Sequence, residues 1–237
     1  MDIGKAFTFI FEDPDWLKKA AIGVGLLLVG MIFAPVLIGL VPLMMITGYT
    51  VILIRNVMDG VEQPLPEWED WGELFMLGLK LSLIQLIWAI PLIILSVGSS
   101  LPGALAENSD VQGLLITLSA CCGCLSFLVG IVYALLEPVI AFQFARTGEF
   151  ASGFEFGKIF GLLRDNIGSV IVAVIIASVA AIILLILGLI VGIIAVVIGL
   201  IVTFPAAVLW GELIGAHLYG QVGREAQAMS VEPLETV

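Results

Sequence analysis

Charged side chains are scarce in this sequence. Only 12% of its 237 residues are Asp, Glu, Lys or Arg, and 61% are hydrophobic. Soluble domains carry about 25% charged residues, so this chain has too few to cover the surface of a soluble protein of its size. Most of that surface must face lipid. Because the apolar runs are continuous rather than alternating, they predict membrane-spanning helices rather than barrel strands.

Basic residues and histidine are also few. Nine Lys and Arg against 20 Asp and Glu give a formal net charge of −11, which argues against a surface for nucleic acid. One histidine leaves hydrolytic or redox chemistry little to work with, and the sequence has no P-loop, dinucleotide fingerprint, nucleophile elbow or H-E-x-x-H motif. We therefore predict that the protein is not an enzyme and has no catalytic residues, cofactor or metal.

The three cysteines stand together in an apolar run, at Cys121, Cys122 and Cys124. A thiolate metal site needs about four ligands, and no histidine or further cysteine pair lies near in sequence. We interpret them as small residues at helix contacts, with a metal or acylation site as the alternative. The single histidine, His217, is interpreted as a polar residue at a span end, with proton relay as the alternative.

Two uncharged runs are too long for one span each. Residues 20–54 would extend about 52 Å as a helix, against a hydrocarbon core of about 30 Å. We predict a hairpin of residues 20–35 and 36–55 that breaks at Pro35, Gly39 and Pro42. Residues 167–210 predict a second hairpin, with its turn at 188–192 and a kink at Pro205. Further spans are predicted at 81–98, with a kink at Pro91, and at 113–136, where Glu137-Pro138 marks an end or a kink.

Three segments have the spacing of short amphipathic helices that lie in the membrane interface. They are residues 2–12, a segment that begins at Trp71, and residues 153–166. The first is acidic rather than basic, so it does not read as a cleavable signal peptide. The second follows the longest polar interruption, residues 59–70, in which Glu62, Glu67, Glu69 and Asp70 favour water.

A G-[K/E]-x-F tetrapeptide begins at Gly4, Gly72 and Gly157, and each copy precedes a predicted pair of spans. A glycine closes each pair, at Gly60, Gly148 and Gly223. We predict one membrane domain, residues 1–225, built from three tandem units and followed by a mobile acidic tail. The boundaries are 1–60, 61–148 and 149–225 for the units, and 226–237 for the tail.

The predicted fold is therefore all-α: a polytopic membrane protein with six transmembrane helices as three tandem hairpins, each preceded by a cytoplasmic interfacial amphipathic helix. With six spans, all nine Lys and Arg residues fall on one side. The positive-inside rule then places both termini in the cytoplasm and the protein in the cell membrane.

One stretch resembles a known family. Gly48-Tyr49, Arg55, Gly60 and the run Leu65-Pro66-Glu67-Trp68-Glu69-Asp70-Trp71-Gly72-Glu73-Leu74-Phe75, followed by Gly78-Leu79-Lys80, are similar to a prokaryotic family of integral membrane proteins known only as a domain of unknown function (DUF4013). The resemblance implies a multi-pass membrane protein of bacteria or archaea. It implies no catalytic residues.

Acids within the membrane or at its edge are costly and are functional-site hypotheses by default. Glu137 and Glu212 occupy equivalent repeat positions, with Tyr49 as the third, and Arg55 or Arg146 would neutralise them at a shared polar site. The alternative is that all are ordinary helix-end residues. We predict a membrane-organising scaffold or an accessory subunit of a larger membrane complex. A small transporter or channel with a polar site near Glu137, Glu212 and Tyr49 is the alternative. The predicted partners are membrane lipids, and also other membrane proteins or another copy of the chain.

Overall fold

Helices make up nearly all of the chain. The computed structural model describes residues 1–105, 112–195 and 199–231, and within these ranges it contains eight α-helices and no β-strand. The helices are α1 (Ile3–Thr8), α2 (Trp16–Phe33), α3 (Leu40–Met58), α4 (Trp71–Leu105), α5 (Gln112–Thr147), α6 (Phe156–Asp165), α7 (Ile167–Ile194) and α8 (Leu200–Val231). Six of them, all except α1 and α6, are long and apolar enough to cross a membrane. The predicted all-α fold with six spans is confirmed, and it indicates a multi-pass membrane protein.

The spans place small residues inward and large apolar residues outward. On α7, Ala173, Ala177 and Ala180 are buried, whereas Ile175 and Ile182 are exposed. In a water-soluble protein the arrangement would be the opposite, with the large apolar side chains buried. In lipid the large side chains cost nothing on the outside, and the small ones let neighbouring backbones approach. The surface of α7 is thus built for a hydrocarbon environment.

Helix α3 lies at the centre of the packing and contacts α2, α4, α5 and α8. Its closest neighbour is α4, because two glycines leave the backbones in direct contact. A Cβ atom at Gly48 would overlap the carbonyl oxygen of Leu74, and one at Gly78 would overlap that of Met44. No side chain separates the two helices at this crossing, so both glycines of the family pattern have a packing role.

Of the two breaks predicted within the long apolar runs, the structure contains the first but not the second at its predicted position. The break predicted at Pro35 and Gly39 is present as a 3-10 turn, Ala34–Val36, before α3 begins. The turn predicted at 188–192 is wrong, since α7 continues to Ile194. Gly188 packs instead against α8, where the hydroxyl of Thr203 donates to the Gly188 carbonyl oxygen at 2.7 Å. Its lack of a side chain permits close helix packing rather than a turn.

Several predicted segments are continuous in the structure. The amphipathic helix predicted from Trp71 and the span predicted at 81–98 form one helix, α4. Helix α5 continues past Pro138 to Thr147, beyond the span end expected at 136. Helix α8 reaches Val231 and so includes the first residues of the predicted tail, while residues 232–237 lie outside the described ranges.

The three-unit division stays a prediction. Two of the three closing glycines, Gly60 and Gly148, have left-handed backbones with φ of 73° and 66°, the conformation that favours glycine. The third, Gly223, lies inside α8 and packs against Met58 and Phe142. Its conformation therefore differs from that of its proposed equivalents.

The loop between α3 and α4, residues 59–70, is more firmly held than its polarity suggests. The hydroxyl of Tyr49 donates to the Pro66 carbonyl oxygen at 3.0 Å, and the indole of Trp68 stacks on the Tyr49 ring at 4.1 Å. The indole N–H of Trp68 donates to the Lys19 carbonyl oxygen at 3.0 Å. The four acids expected in water are exposed, but Leu65, Pro66 and Trp68 are buried.

Three charged side chains lock this loop to the start of α2, and we call Asp13, Lys19 and Glu67 the Lys19 cluster. The Lys19 Nζ atom lies 2.7 Å from Asp13 Oδ2 and 2.5 Å from Glu67 Oε1. It also donates to the Leu65 carbonyl oxygen at 3.2 Å. Lys19 and Asp13 are buried, so every charge removed from water here has a partner.

Basic side chains gather at the same end of the helical domain, called here the basic end. The Arg55 Nε donates to the Ala145 carbonyl oxygen at 3.0 Å, and Lys80 Nζ donates to that of Gly148 at 3.1 Å. Both cations thus satisfy carbonyls at the C-terminus of α5, where a positive charge is favourable. The guanidinium of Arg224 lies beside Gly60.

Candidate functional site

A cavity of about 540 Å³ lies among the spans. All six contribute to its wall, so it is central to the domain rather than a groove between two neighbours. One lining residue from each span is enough to show this: Leu27 of α2, Thr50 of α3, Gln85 of α4, Glu137 of α5, Ser178 of α7 and Glu212 of α8. We call this space the central cavity.

Two carboxylates line the central cavity, one from α5 and one from α8. At about 1.5 Å per residue, Glu137 lies about 15 Å along α5 from Thr147, and Glu212 lies about 18 Å along α8 from Arg224. Both are therefore well inside the hydrocarbon core if the basic end is at a membrane surface. Glu137 is half-buried and Glu212 is exposed to the cavity.

Neither carboxylate is neutralised by the protein. Within the described ranges, Glu137 and Glu212 have no hydrogen-bond or ion-pair partner, and no Lys, Arg or His lines the cavity. The nearby hydroxyls of Thr47 and Thr50 donate to backbone carbonyls of their own helix. The cavity thus holds two acidic groups without a protein partner at a depth where charge is expensive.

The structure brings together two of the five residues predicted to share a polar site. Glu137 and Glu212 line one cavity, but Tyr49 lies outside it, stacked on Trp68. Arg55 binds the end of α5 and lies 3.9 Å from Glu73, and Arg146 is exposed outside the cavity. Arg55 and Arg146 therefore do not pair with the two acids.

Other lining residues did not stand out in the sequence. Gln85 and Ser178 each interrupt an apolar run with one polar group, and Tyr219 lies between His217 and Gln221, beyond the last predicted span. Isolated polar residues in predicted spans were the available signal. Their convergence depends on the rotation of each helix about its axis, and the hydropathy pattern does not determine that rotation.

The cysteines and the histidine that the sequence also singled out lie outside the central cavity. Cys121 and Cys124 are exposed, Cys122 is half-buried, and all three are free thiols. No group of three or more possible metal ligands occurs in the described part of the chain. His217 is buried away from the two acids, stacks on Phe9 at 4.3 Å and lies 3.0 Å from the Gln221 amide nitrogen through Nδ1.

Comparison with known proteins identifies a family but no characterised relative. A family model described as Protein of unknown function (DUF4013) matches residues 31–211, and the chain belongs to this family. The match includes the described parts of α3, α4, α5 and α7, and Glu137. It ends one residue before Glu212. No curated protein and no solved structure matches the chain.

Proposed function

We propose that this member of the DUF4013 family is a small, non-enzymatic transport protein that moves a positively charged solute through the central cavity. One observation carries the proposal: two unpaired carboxylates line a cavity to which all six spans contribute. Leaving acids uncompensated inside a membrane domain is costly. A bound cation would offset that cost, which supports a binding function rather than a purely structural one.

The protein would be located in the cell membrane with both termini and the basic end in the cytoplasm. The distribution of Lys and Arg supports this orientation. A single thiol at the exposed Glu62, introduced as Glu62→Cys into a chain without its native cysteines, tests it. We expect labelling by an impermeant maleimide only after the cells are opened, and labelling of intact cells would contradict the orientation.

Reconstituted liposomes test transport directly. We expect the full chain to release trapped tetramethylammonium faster than protein-free liposomes do, and Glu137→Gln with Glu212→Gln to abolish that difference. Glu62→Gln with Glu69→Gln is the matched control, because it removes the same two acidic groups from an exposed loop and leaves the cavity intact. Equal flux from the double variant and the control would overturn the proposal.

A scaffold that organises membrane lipid is the second candidate, and α6 favours it. Phe156 and Phe160 of α6 are exposed, whereas Ile159 is buried against the spans. An exposed aromatic face on a short helix is suited to insertion in one leaflet. Tubulation of vesicles that is lost in Phe156→Ser with Phe160→Ser, without any cation flux, would favour the scaffold over the transporter.

A further inference from the structure

The central cavity changes character along the axis of the spans. Around the two acids its wall includes the polar side chains of Thr47, Thr50 and Ser178, beside apolar ones such as Leu27 and Ile46. Farther from the basic end the lining side chains are apolar: Met31, Leu43, Leu185 and Val208. At about 1.5 Å per residue, Met31 and Leu43 lie about 22 Å from the basic ends of α2 and α3, and Leu185 and Val208 lie about 24–27 Å from those of α7 and α8.

The apolar part therefore begins several ångströms beyond the acids. Glu137 and Glu212 lie about 15–18 Å from the basic end by the same measure. A ligand that extends from the acids into the apolar part must carry a charged head and a hydrocarbon tail. A bare metal ion would occupy only the acidic part and leave the apolar part without an occupant.

The sign of the charge follows from the lining. The described wall holds two acidic side chains and no basic one, so a phosphate group would find no positive charge there to pair with. This disfavours zwitterionic phospholipid headgroups and favours a net cation. The volume of about 540 Å³ lies within the range of about 300–1,000 Å³ found for small-molecule sites.

We infer that the central cavity binds an amphiphilic cation, with its ammonium head between Glu137 and Glu212 and its alkyl chain along Leu43, Leu185 and Val208. The inference rests on the proposed transport function and names the substrate class for that same cavity. The ammonium head of the ligand would lie toward the basic end and its alkyl chain away from it. The ligand can come from the membrane or from the aqueous phase.

Binding to the full chain in lipid nanodiscs tests this inference, with radiolabelled decyltrimethylammonium and tetramethylammonium as probes. Protein-free nanodiscs give the partition of each probe into lipid. We expect saturable binding of both probes above that background, and loss of both in Glu137→Gln with Glu212→Gln. Decyl sulfate and the zwitterionic lysophosphatidylethanolamine are competitors that keep a chain but lack a net positive head, and we expect neither to compete. Competition by the lysolipid would identify a phospholipid source and overturn the restriction to cations.

A matched pair of phenylalanine substitutions distinguishes binding of the ligand's alkyl tail from binding of its ammonium head. Val208→Phe narrows the apolar part and should weaken decyltrimethylammonium binding by about tenfold while tetramethylammonium binding is unchanged. Val202→Phe on the exposed face of α8 should change neither. Where Val208→Phe fails to fold, Leu185→Phe with its exposed neighbour Leu187→Phe replaces the pair.

If Val208→Phe changed the binding of both probes to the same extent, the inference of an amphiphilic ligand would be wrong. The proposed transport of a cation would not be affected. Binding of neither probe, together with no flux of tetramethylammonium in liposomes, would overturn the transport function as well. The two failures are therefore distinguishable.

Discussion

Two sets of ionisable side chains lie at different depths in the helical domain, and their surroundings differ. In the Lys19 cluster, one buried ammonium group lies between two carboxylates and also donates to a backbone carbonyl. In the central cavity, Glu137 and Glu212 line the wall without a hydrogen-bond or ion-pair partner in the described part of the chain. The paired charges hold a loop in place, whereas the unpaired acids are the groups to which we propose that a cation binds.

Lys19→Met should produce the largest loss of stability. The substitution leaves Asp13 buried without its partner, and breaking a buried pair in this way costs about 3–5 kcal/mol. We expect a matching fall in the free energy of unfolding in detergent. Lys18→Met, at an exposed neighbouring position, is the control and should change little. Adding Asp13→Asn to Lys19→Met should restore part of the loss, and equal unfolding of the Lys19 and Lys18 variants would contradict the structural role.

Tyr49→Phe should have a smaller effect of about 1–2 kcal/mol, because the buried Pro66 carbonyl loses its donor. Tyr219→Phe is the matched control, since the Tyr219 hydroxyl lines the cavity and has no partner in the described ranges. Thermal unfolding of both variants, measured beside tetramethylammonium binding, should show lost stability with intact binding for Tyr49→Phe. If Tyr49→Phe lost cation binding, Tyr49 would belong to the polar site that the repeat predicted.

Removing the cavity charges should change stability by less than about 1 kcal/mol, in the stabilising direction, because Gln carries no charge into the apolar interior. Glu137→Gln with Glu212→Gln should therefore unfold at or above the temperature of the unchanged protein while losing cation binding. A strongly destabilised double variant would show that the acids are structural after all.

The exposed pair of Lys5 and Glu12 should give the smallest effect. Their side chains are 40% and 41% exposed, and surface pairs contribute about 0–1 kcal/mol. Lys5→Met should therefore leave the free energy of unfolding within about 0.5 kcal/mol of its original value. A loss as large as that for Lys19→Met would mean that pairing alone, regardless of burial, governs stability.

The number and type of spans were predictable because hydropathy and length depend only on residues that are adjacent in sequence. Turn positions were less predictable, since glycine serves both turns and close helix contacts. Gly39 precedes α3 at a real break, whereas Gly188 packs inside the α7–α8 interface. The surrounding residues are equally apolar in both cases.

Only part of the candidate site could be predicted from the sequence. Depth in the membrane identified Glu137 and Glu212, and both line the central cavity. The repeat register added Tyr49, but register gives a position along a helix and not the direction in which a side chain points. Trp68 supplied a stacking partner for the Tyr49 ring from a loop whose buried conformation its polar sequence did not suggest.

The glycine crossing of α3 and α4 has a mechanical consequence. Backbones in direct contact leave little room for the two helices to shift relative to each other, so we expect α3 and α4 to move together. The wall of the central cavity formed by Thr50 and Gln85 is then a fixed reference surface. Any change in the width of the cavity would then come from displacement of α2, α5, α7 or α8 relative to this pair, and the distance from Gln85 to Glu212 would record a movement of α8.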